Sequence, residues 1–480
     1  MSVRKIGAAQ IPAFGLISVS VLLVHGFHPL ADDGAVYVAG IKKLVDPGLF
    51  QTDAVFALSP TRLSIFAHVL AAFVRWIHLP LPVLLLICQL GSIYLFLLGC
   101  WKVAARVFPD GPGRWGAVLL AACCFTLPVA GTSLCIMDPY VTARSFSMPL
   151  SLLAFAAVLG KEWTRALAWL VLAALVHPLM AGYAAIAMLV IALPKHKLTL
   201  FVLGWFLCAV IFLATRHPDP GLAYNQAALS RSYFFLSSWQ WYEYPGLVLP
   251  LLLLGWAAYR GQPLAGAATM LGGCALMVSL CFVHRSGSLL LARVQVLRAF
   301  QIVYLLGVLL AGGLLGRLGR KRTLHALYLA IALALFTGQW FTYPASHHVE
   351  WPGIRPANTW SQAFLWIRDN TPRNAIFALD NDYVESAGED AQGFRATAER
   401  SAVADYFKDG GIASNFRAAA APWVQESQAT AQLNHATDAQ RLARLSPFGV
   451  SWIVLPAQTV TTFPCPFINA GVRVCRIGAK

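Results

Sequence analysis

The chain has 480 residues, 58% of them apolar and 12% charged, with a mean hydropathy of +0.63. A soluble globular protein carries roughly 25% charged residues, so this composition excludes an ordinary cytosolic enzyme, and it excludes disordered, collagen-like, coiled-coil and disulfide-scaffold classes as well. The net charge of +15 is uneven: residues 1–341 hold 24 Lys/Arg against nine acids, and residues 342–480 hold 12 of each. A surplus confined to the apolar part is a membrane-topology signal and not a nucleic-acid footprint.

Apolar runs predict eleven spans near 7–28, 83–101, 115–131, 146–160, 164–177, 179–194, 198–215, 246–260, 264–283, 288–313 and 324–341. The opening MSVRK and the run behind it have the look of a signal peptide. His25, Gly26, Phe27, His28 and Pro29 offer no small-residue cleavage site, which favours a retained first helix. With the N-terminus inside, the cytoplasmic segments collect fourteen cations against two acids, Asp110 and Glu162, and the opposite face has ten cations and seven acids. Residues 62–79 contain Arg62, His68, Arg75 and His78, too polar for a twelfth span, and read as an interfacial or re-entrant helix. The odd count then places residues 342–480 on the outer face.

The candidate chemistry collects on that face. The first outer loop, 29–82, holds Asp32 and Asp33 at the mouth of the first span, before a helix at 34–45, and Asp53 further on. One reading has one aspartate capping the helix and the other solvated. The other has a carboxylate acting as general base on an acceptor hydroxyl, or holding a divalent cation. SLCIMDPYVTARSFSMPL (133–150) adds Asp138 and Arg144. His177 sits where two short spans meet, in ALVHPLMAG, as a hairpin turn or as a functional group. VHRSGS supplies His284 and Arg285, and the tenth span carries Arg293 and Arg298. At 1.5 Å per residue, Arg298 is expected near half-depth in an apolar helix. Such an arginine either snorkels or marks a site, and a lipid phosphate is a fitting partner for its guanidinium.

Residues 342–480 have the length of one soluble domain. NTWSQAFLWIRDNTP (358–372) predicts a helix with Trp360, Phe364 and Ile367 on one face, and AIFAL (375–379) and VSWIVL (450–455) predict buried strands. An Ala-rich stretch near 413–434 and TDAQRLARL (437–445) read as helical, giving a small α/β domain. It shows no phosphate loop, metal-spaced set or nucleophile elbow, so it is expected to cap the site or recognise an acceptor. Cys465 and Cys475, ten apart, are open between a disulfide in an oxidising compartment and two thiols. The other cysteines mostly lie in or beside spans, as packing residues.

The layout resembles the GT-C superfamily of integral-membrane glycosyltransferases, which includes protein O-mannosyltransferases and lipid A aminoarabinose transferases. Asp32-Asp33 matches the family's acidic motif. SPTRLSIFAHVLAAFVRWIHLPLP (59–82) is similar to the segment behind it, and 358–480 is similar to the outward C-terminal domain. No WWDYG-like motif appears in the soluble domain, so peptide-sequon transfer is not expected, and His177 stands where some members have a lysine. The resemblance implies a polyprenyl-phosphate sugar as donor and membrane lipids as surroundings. It implies a hydroxyl on a lipid, glycan or protein as acceptor, and a bacterial inner membrane as location. Asp33, or Asp32, would take the proton; Arg144, His177, Arg285 and Arg298 would neutralise the leaving phosphate; one-step attack would invert the anomeric centre. Asp53, Asp138, His284 and Arg293 are secondary candidates. Members differ in needing a cation, so magnesium or manganese at Asp32, Asp33 and Asp138 stays open.

Two rival classes remain, a transporter or flippase of envelope glycans and a non-catalytic scaffold. Against the first, no inverted internal repeat or paired broken helices are found.

Overall fold

The computed structural model describes residues 10–193, 204, 208, 221–385 and 393–477. The seventh predicted span, 198–215, lies outside the described residues apart from Gly204 and Cys208, as does the centre of the polar stretch 380–400. The apolar part is helical: α1 (Gln10–His25), α2 (Asp32–Val45), α3 (Ala54–Leu58), α4 (Phe66–Ile77), α5 (Leu81–Val107), α6 (Gly111–Cys123), α7 (Ala143–Leu159), α8 (Trp163–Val176) and α9 (Pro178–Ala192). There follow α10 (Leu222–Leu229), α11 (Tyr244–Tyr259), α12 (Pro263–Phe282), α13 (Leu289–Val294), α14 (Phe300–Leu318) and α15 (Lys321–Thr342).

Four stretches are long and apolar enough to cross a membrane: α5, α12, Leu289–Leu318 and Arg322–Thr342. Ala54–Leu63 and Phe66–Ile77 would add a fifth if they formed one span, but they are bent by 106°. That bend suits the re-entrant or interfacial reading of 62–79, and α4 leaves Val69, Phe73 and Trp76 exposed. The shorter apolar helices α1, α7, α8 and α9 have 14 to 17 residues. At 1.5 Å per residue α8 and α9 reach about 21 and 23 Å, short of a hydrocarbon core of roughly 30 Å. Eleven spans are therefore not reached by this measure among the described residues.

Two predicted spans end differently from their apolar runs. The third, 115–131, is helical only to Cys123; the chain then turns through the hairpin β1 (Pro128–Val129) and β2 (Leu134–Cys135). Pro128 and Gly131 outweigh the apolarity around them, since both residues favour turns over helix continuation. The tenth, 288–313, is not one straight helix. It breaks at Gln295, whose φ is +55°, passes through a 3₁₀ turn at Val296–Ala299, and restarts as α14. The Tyr183 hydroxyl donates to the carbonyls of Val294 and, at 3.0 Å, Gln295, so these two carbonyls freed by the break are satisfied inside the protein.

Small residues bring α6 and α14 together. A Cβ on Gly116, Gly312 or Gly316 would run into the opposing backbone, which is how close helix crossings form in lipid. The two acids of the predicted cytoplasmic segments are both matched. Glu162 pairs with Arg106 and Arg165, and Asp110 pairs with Arg317.

The C-terminal domain is a small mixed sheet with helices on both faces. α16 (Thr359–Asn370) starts on the side chain of Asn358, which accepts from Trp360 and Ser361 N–H. The strands β3 (Ile376–Ala378), β4 (Ser401–Ala402), β5 (Trp452–Pro456), β6 (Phe467–Ile468) and β7 (Val472–Arg476) lie in the order β4-β3-β5-β7-β6. β3 pairs in parallel with β4 and β5, and β7 runs antiparallel to β5 and β6. Alternation along β5 sends Val454 to the face covered by Trp360, Phe364 and Ile367 of α16. Ile453 and Leu455 go to the other face, against Leu433 and Leu445. Cys465 and Cys475 form a disulfide.

The remaining helices are α17 (Phe394–Ala398), α18 (Lys408–Asn415), α19 (Arg417–Ala429) and α20 (Asp438–Leu445). α17 and α18 dock the domain onto the first loop. Gly393, at φ +78°, lies so close to α2 that a Cβ there would overlap Ala35. Beside it, Arg395 pairs with the buried Asp53 of the loop and, through two bonds of 2.8 and 2.9 Å, with the buried Asp409 of α18. The Ala402 N–H also donates to Asp53, at 3.0 Å.

Candidate active site

The docking encloses a cavity of about 610 Å³ between the first loop, the α8–α9 turn, the α13–α14 break and α18. Asp32, Asp33, Arg144, His177 and Arg298 all line it. The aspartates open α2, whose first turn they occupy; the N-cap position belongs to Ala31, and no side chain caps the helix there. The capping role is thus not what these two carboxylates do. Both are about one-third exposed.

Each aspartate has its own partners. Asp33 Oδ2 accepts from Arg144 Nη1 at 2.9 Å, and the other arm of Arg144 reaches Asp138 Oδ2 at 3.0 Å. Asp138 is 4% exposed and stands behind the wall, so the guanidinium is clamped between a buried carboxylate and one facing the cavity. Asp32 Oδ2 accepts from the Tyr140 hydroxyl at 2.9 Å, and its other oxygen pairs with Lys408 of α18.

These loop groups have shifted proton affinities. Burial pushes the Asp33 carboxyl up, but the charges of Arg144, Lys408 and Arg298 outweigh it and hold the group well below its ordinary value. Burial dominates at Asp138 and raises it despite Arg144. Burial likewise works against the Lys408 charge, and Asp32 and Asp33 more than compensate, raising that ammonium. Asp33 is therefore ionised at neutral pH, inside a ring of cations.

Arg298 is placed differently from the half-depth expectation. It lies in the 3₁₀ turn at the head of α14, because the helix breaks just before it. Its guanidinium stacks over Tyr233 at 5.2 Å and makes no hydrogen bond or ion pair among the described residues. His177 ends α8 and begins α9; its Nδ1 accepts from the Met180 N–H at 3.4 Å, which leaves Nε2 to carry a proton.

The other candidates are not in the wall. Arg285 is exposed, reaches Ser238 Oγ at 3.2 Å and stacks near Phe235. His284 is exposed beside Ser286. Arg293 lies 3.7 Å over the Tyr224 ring and donates to the carbonyls of Tyr224 and Ser414, fastening the membrane part to α18. Asp53 serves the Arg395 contact described above.

A shared cation does not fit these side chains as they are arranged. Arg144 stands between Asp33 and Asp138, Lys408 and Tyr140 hold Asp32, and among the described residues no group of three His, Cys, Asp or Glu is set to hold a metal ion.

Lys408, Tyr37, Arg231, Tyr233, Gln295 and Asn415 also line the cavity, and sequence reading passed over all of them. Arg231 is 5% exposed and donates to the carbonyls of Tyr406 and Phe407, both at 2.7 Å. Tyr140, which holds Asp32, lies inside the segment that drew attention for Asp138 and Arg144 and was legible there.

Similar folds are known among membrane glycosyltransferases. The arabinofuranosyltransferase AftD from mycobacteria matches with a TM-score of 0.51 at 12% identity, over 100% of this chain and 40% of that one. The chain has the GT-C fold. It spans less than half the length of AftD. The oligosaccharyltransferase AglB from Archaeoglobus fulgidus, solved with an inhibitory peptide and a dolichol-phosphate, matches with a TM-score of 0.49 at 12% identity, over 94% of this chain and 69% of that one. No protein-family model and no curated protein matches the sequence.

Proposed function

We propose that this chain is a membrane glycosyltransferase that moves a sugar from a polyprenyl-phosphate donor to a hydroxyl of a lipid, glycan or protein. The observation that carries this reading is Arg298. A guanidinium lines the cavity that holds Asp33 and makes no hydrogen bond or ion pair among the described residues, which suits a site built for a ligand's anion. The fold shared with AftD, whose name is that of an arabinofuranosyltransferase, supports the reaction class.

In this mechanism Asp33 accepts the proton of the acceptor hydroxyl while its oxygen attacks the anomeric carbon. The bond from that carbon to the phosphate oxygen breaks, and its electron pair leaves with the polyprenyl phosphate. Negative charge grows on the phosphate as the bond lengthens, and Arg298 with the Nε2 proton of His177 meets it. Arg144 fixes the carboxylate and is itself fixed by Asp138. A single displacement inverts the anomeric centre. Val36, Leu63, Val176 and Leu179 supply an apolar side to the cavity, suited to the first isoprene units. The Arg-rich end of the bundle is the cytoplasmic one in this reading, which puts the cavity and the C-terminal domain outside a bacterial cytoplasmic membrane.

A photoactivatable polyprenyl phosphate tests the placement. Labelled peptides are expected to cover Leu63 and Leu179, with labelling suppressed by excess unlabelled polyprenyl phosphate. Labelling confined to the lipid-facing surface of α11, unaffected by competitor, would remove the donor from this cavity.

A further inference from the structure

The C-terminal domain does more than cover the cavity: α18 forms one wall of it and delivers a charged group to the carboxylate pair. Lys408 reaches Asp32 across 376 residues of sequence, and Gly411, Ile412 and Asn415 of the same helix line the cavity with it. Its side chain is one-quarter exposed and lines the same cavity as Arg298. An ammonium is a compact point charge on a flexible stem, able to change partners where a clamped guanidinium such as Arg144 cannot.

We propose that Lys408 is a ligand of the donor phosphate, held by Asp32 until the donor arrives and then shared with the phosphate oxygens. The inference rests on the transferase reading above and adds the soluble domain to the binding machinery. It also couples two events. When the phosphate draws Lys408 away, the aspartate pair loses a neighbouring positive charge at the moment a base is required, and proton abstraction by Asp33 becomes easier. The loss of that charge acts in the direction expected from its depressing influence on Asp33.

A merely structural strut between domains and a phosphate ligand predict opposite results from breaking the same ion pair at its two ends. Binding of a short-chain polyprenyl phosphate to the full-length protein in detergent, measured by calorimetry, separates them. Lys408→Gln is expected to weaken binding about tenfold, the worth of one charge-assisted contact, and Lys408→Arg to retain most of the affinity. Asp32→Asn, which frees the ammonium from its competitor, is expected to bind as tightly as wild type or several-fold tighter. Thermal unfolding of each variant confirms that the domains stay docked. Equal weakening by Lys408→Gln and Asp32→Asn, or unchanged binding in Lys408→Gln, would overturn the proposal and leave the transferase reading standing. Failure of the wild-type protein to bind polyprenyl phosphate at all would remove the reading itself, and the proposal with it.

Discussion

Asp33→Asn is expected to lower turnover by about 10²- to 10⁴-fold, the usual contribution of a positioned general base, while polyprenyl-phosphate binding changes little. Asparagine keeps an oxygen for Arg144 Nη1, so the 2.9 Å contact and the α2 terminus survive, and only the ability to accept a proton is lost. The pH profile carries a second expectation. Because the cations around Asp33 hold its carboxyl below the ordinary range, the free enzyme's rate should stay level as pH falls through 5 and decline only in stronger acid. The same shift makes the ionised carboxylate a stabilising group: that contribution is present above the unfolded-state value of 3.8 and is lost as pH falls through the depressed one. Turnover and thermal unfolding, both followed against pH, check the two together. A rate that falls already at pH 6 would assign the base elsewhere.

Arg144→Met is expected to destabilise the protein by about 3–5 kcal/mol and to abolish turnover, because removing one member of a buried ionic set strands the rest. Asp138 is 4% exposed and has Arg144 as its ionic partner, while Asp33 loses the arm that fixes it. Adding Asp138→Leu removes the stranded charge. The double variant should therefore regain much of the unfolding temperature and none of the activity. Recovery of activity in the double variant would show that Arg144 serves stability alone.

Several parts of this arrangement were legible in the sequence because they rest on local rules. The α16 helix follows from Asn358 as a cap and from Trp360, Phe364 and Ile367 on one face. The core of the sheet follows from the apolar runs that become β3 and β5. A topology that puts the loops of Asp33, Arg144, His177 and Arg298 on one side predicts their gathering, and all four line the cavity.

What escaped depends on long-range contact or on interrupted helices. The sequence predicts Arg298 inside a straight helix, since ARVQVLRAFQ itself contains no proline or glycine; the break is held by Tyr183, more than a hundred residues away. Lys408 sits in YFKDGG within a domain of balanced charge, where one lysine carries no signal until the fold lays α18 against α2. Arg285 and Arg293 had the right residue type and predicted side, but charge and side do not specify which wall a side chain faces. Gly312 and Gly316 form a small-residue pair whose meaning appears only once α6 is their neighbour.

The central claim, that this cavity transfers sugars from a polyprenyl-phosphate donor, is tested most directly by turnover. The purified wild-type protein in detergent would be given a panel of polyprenyl-phosphate sugars with membrane extract as acceptor, and free polyprenyl phosphate would be measured. The account predicts release from at least one donor, dependent on acceptor and lowered by about 10²-fold or more by Asp33→Asn in a protein that still folds. Release from none of the donors, or release at equal rates from wild type and Asp33→Asn, would contradict it.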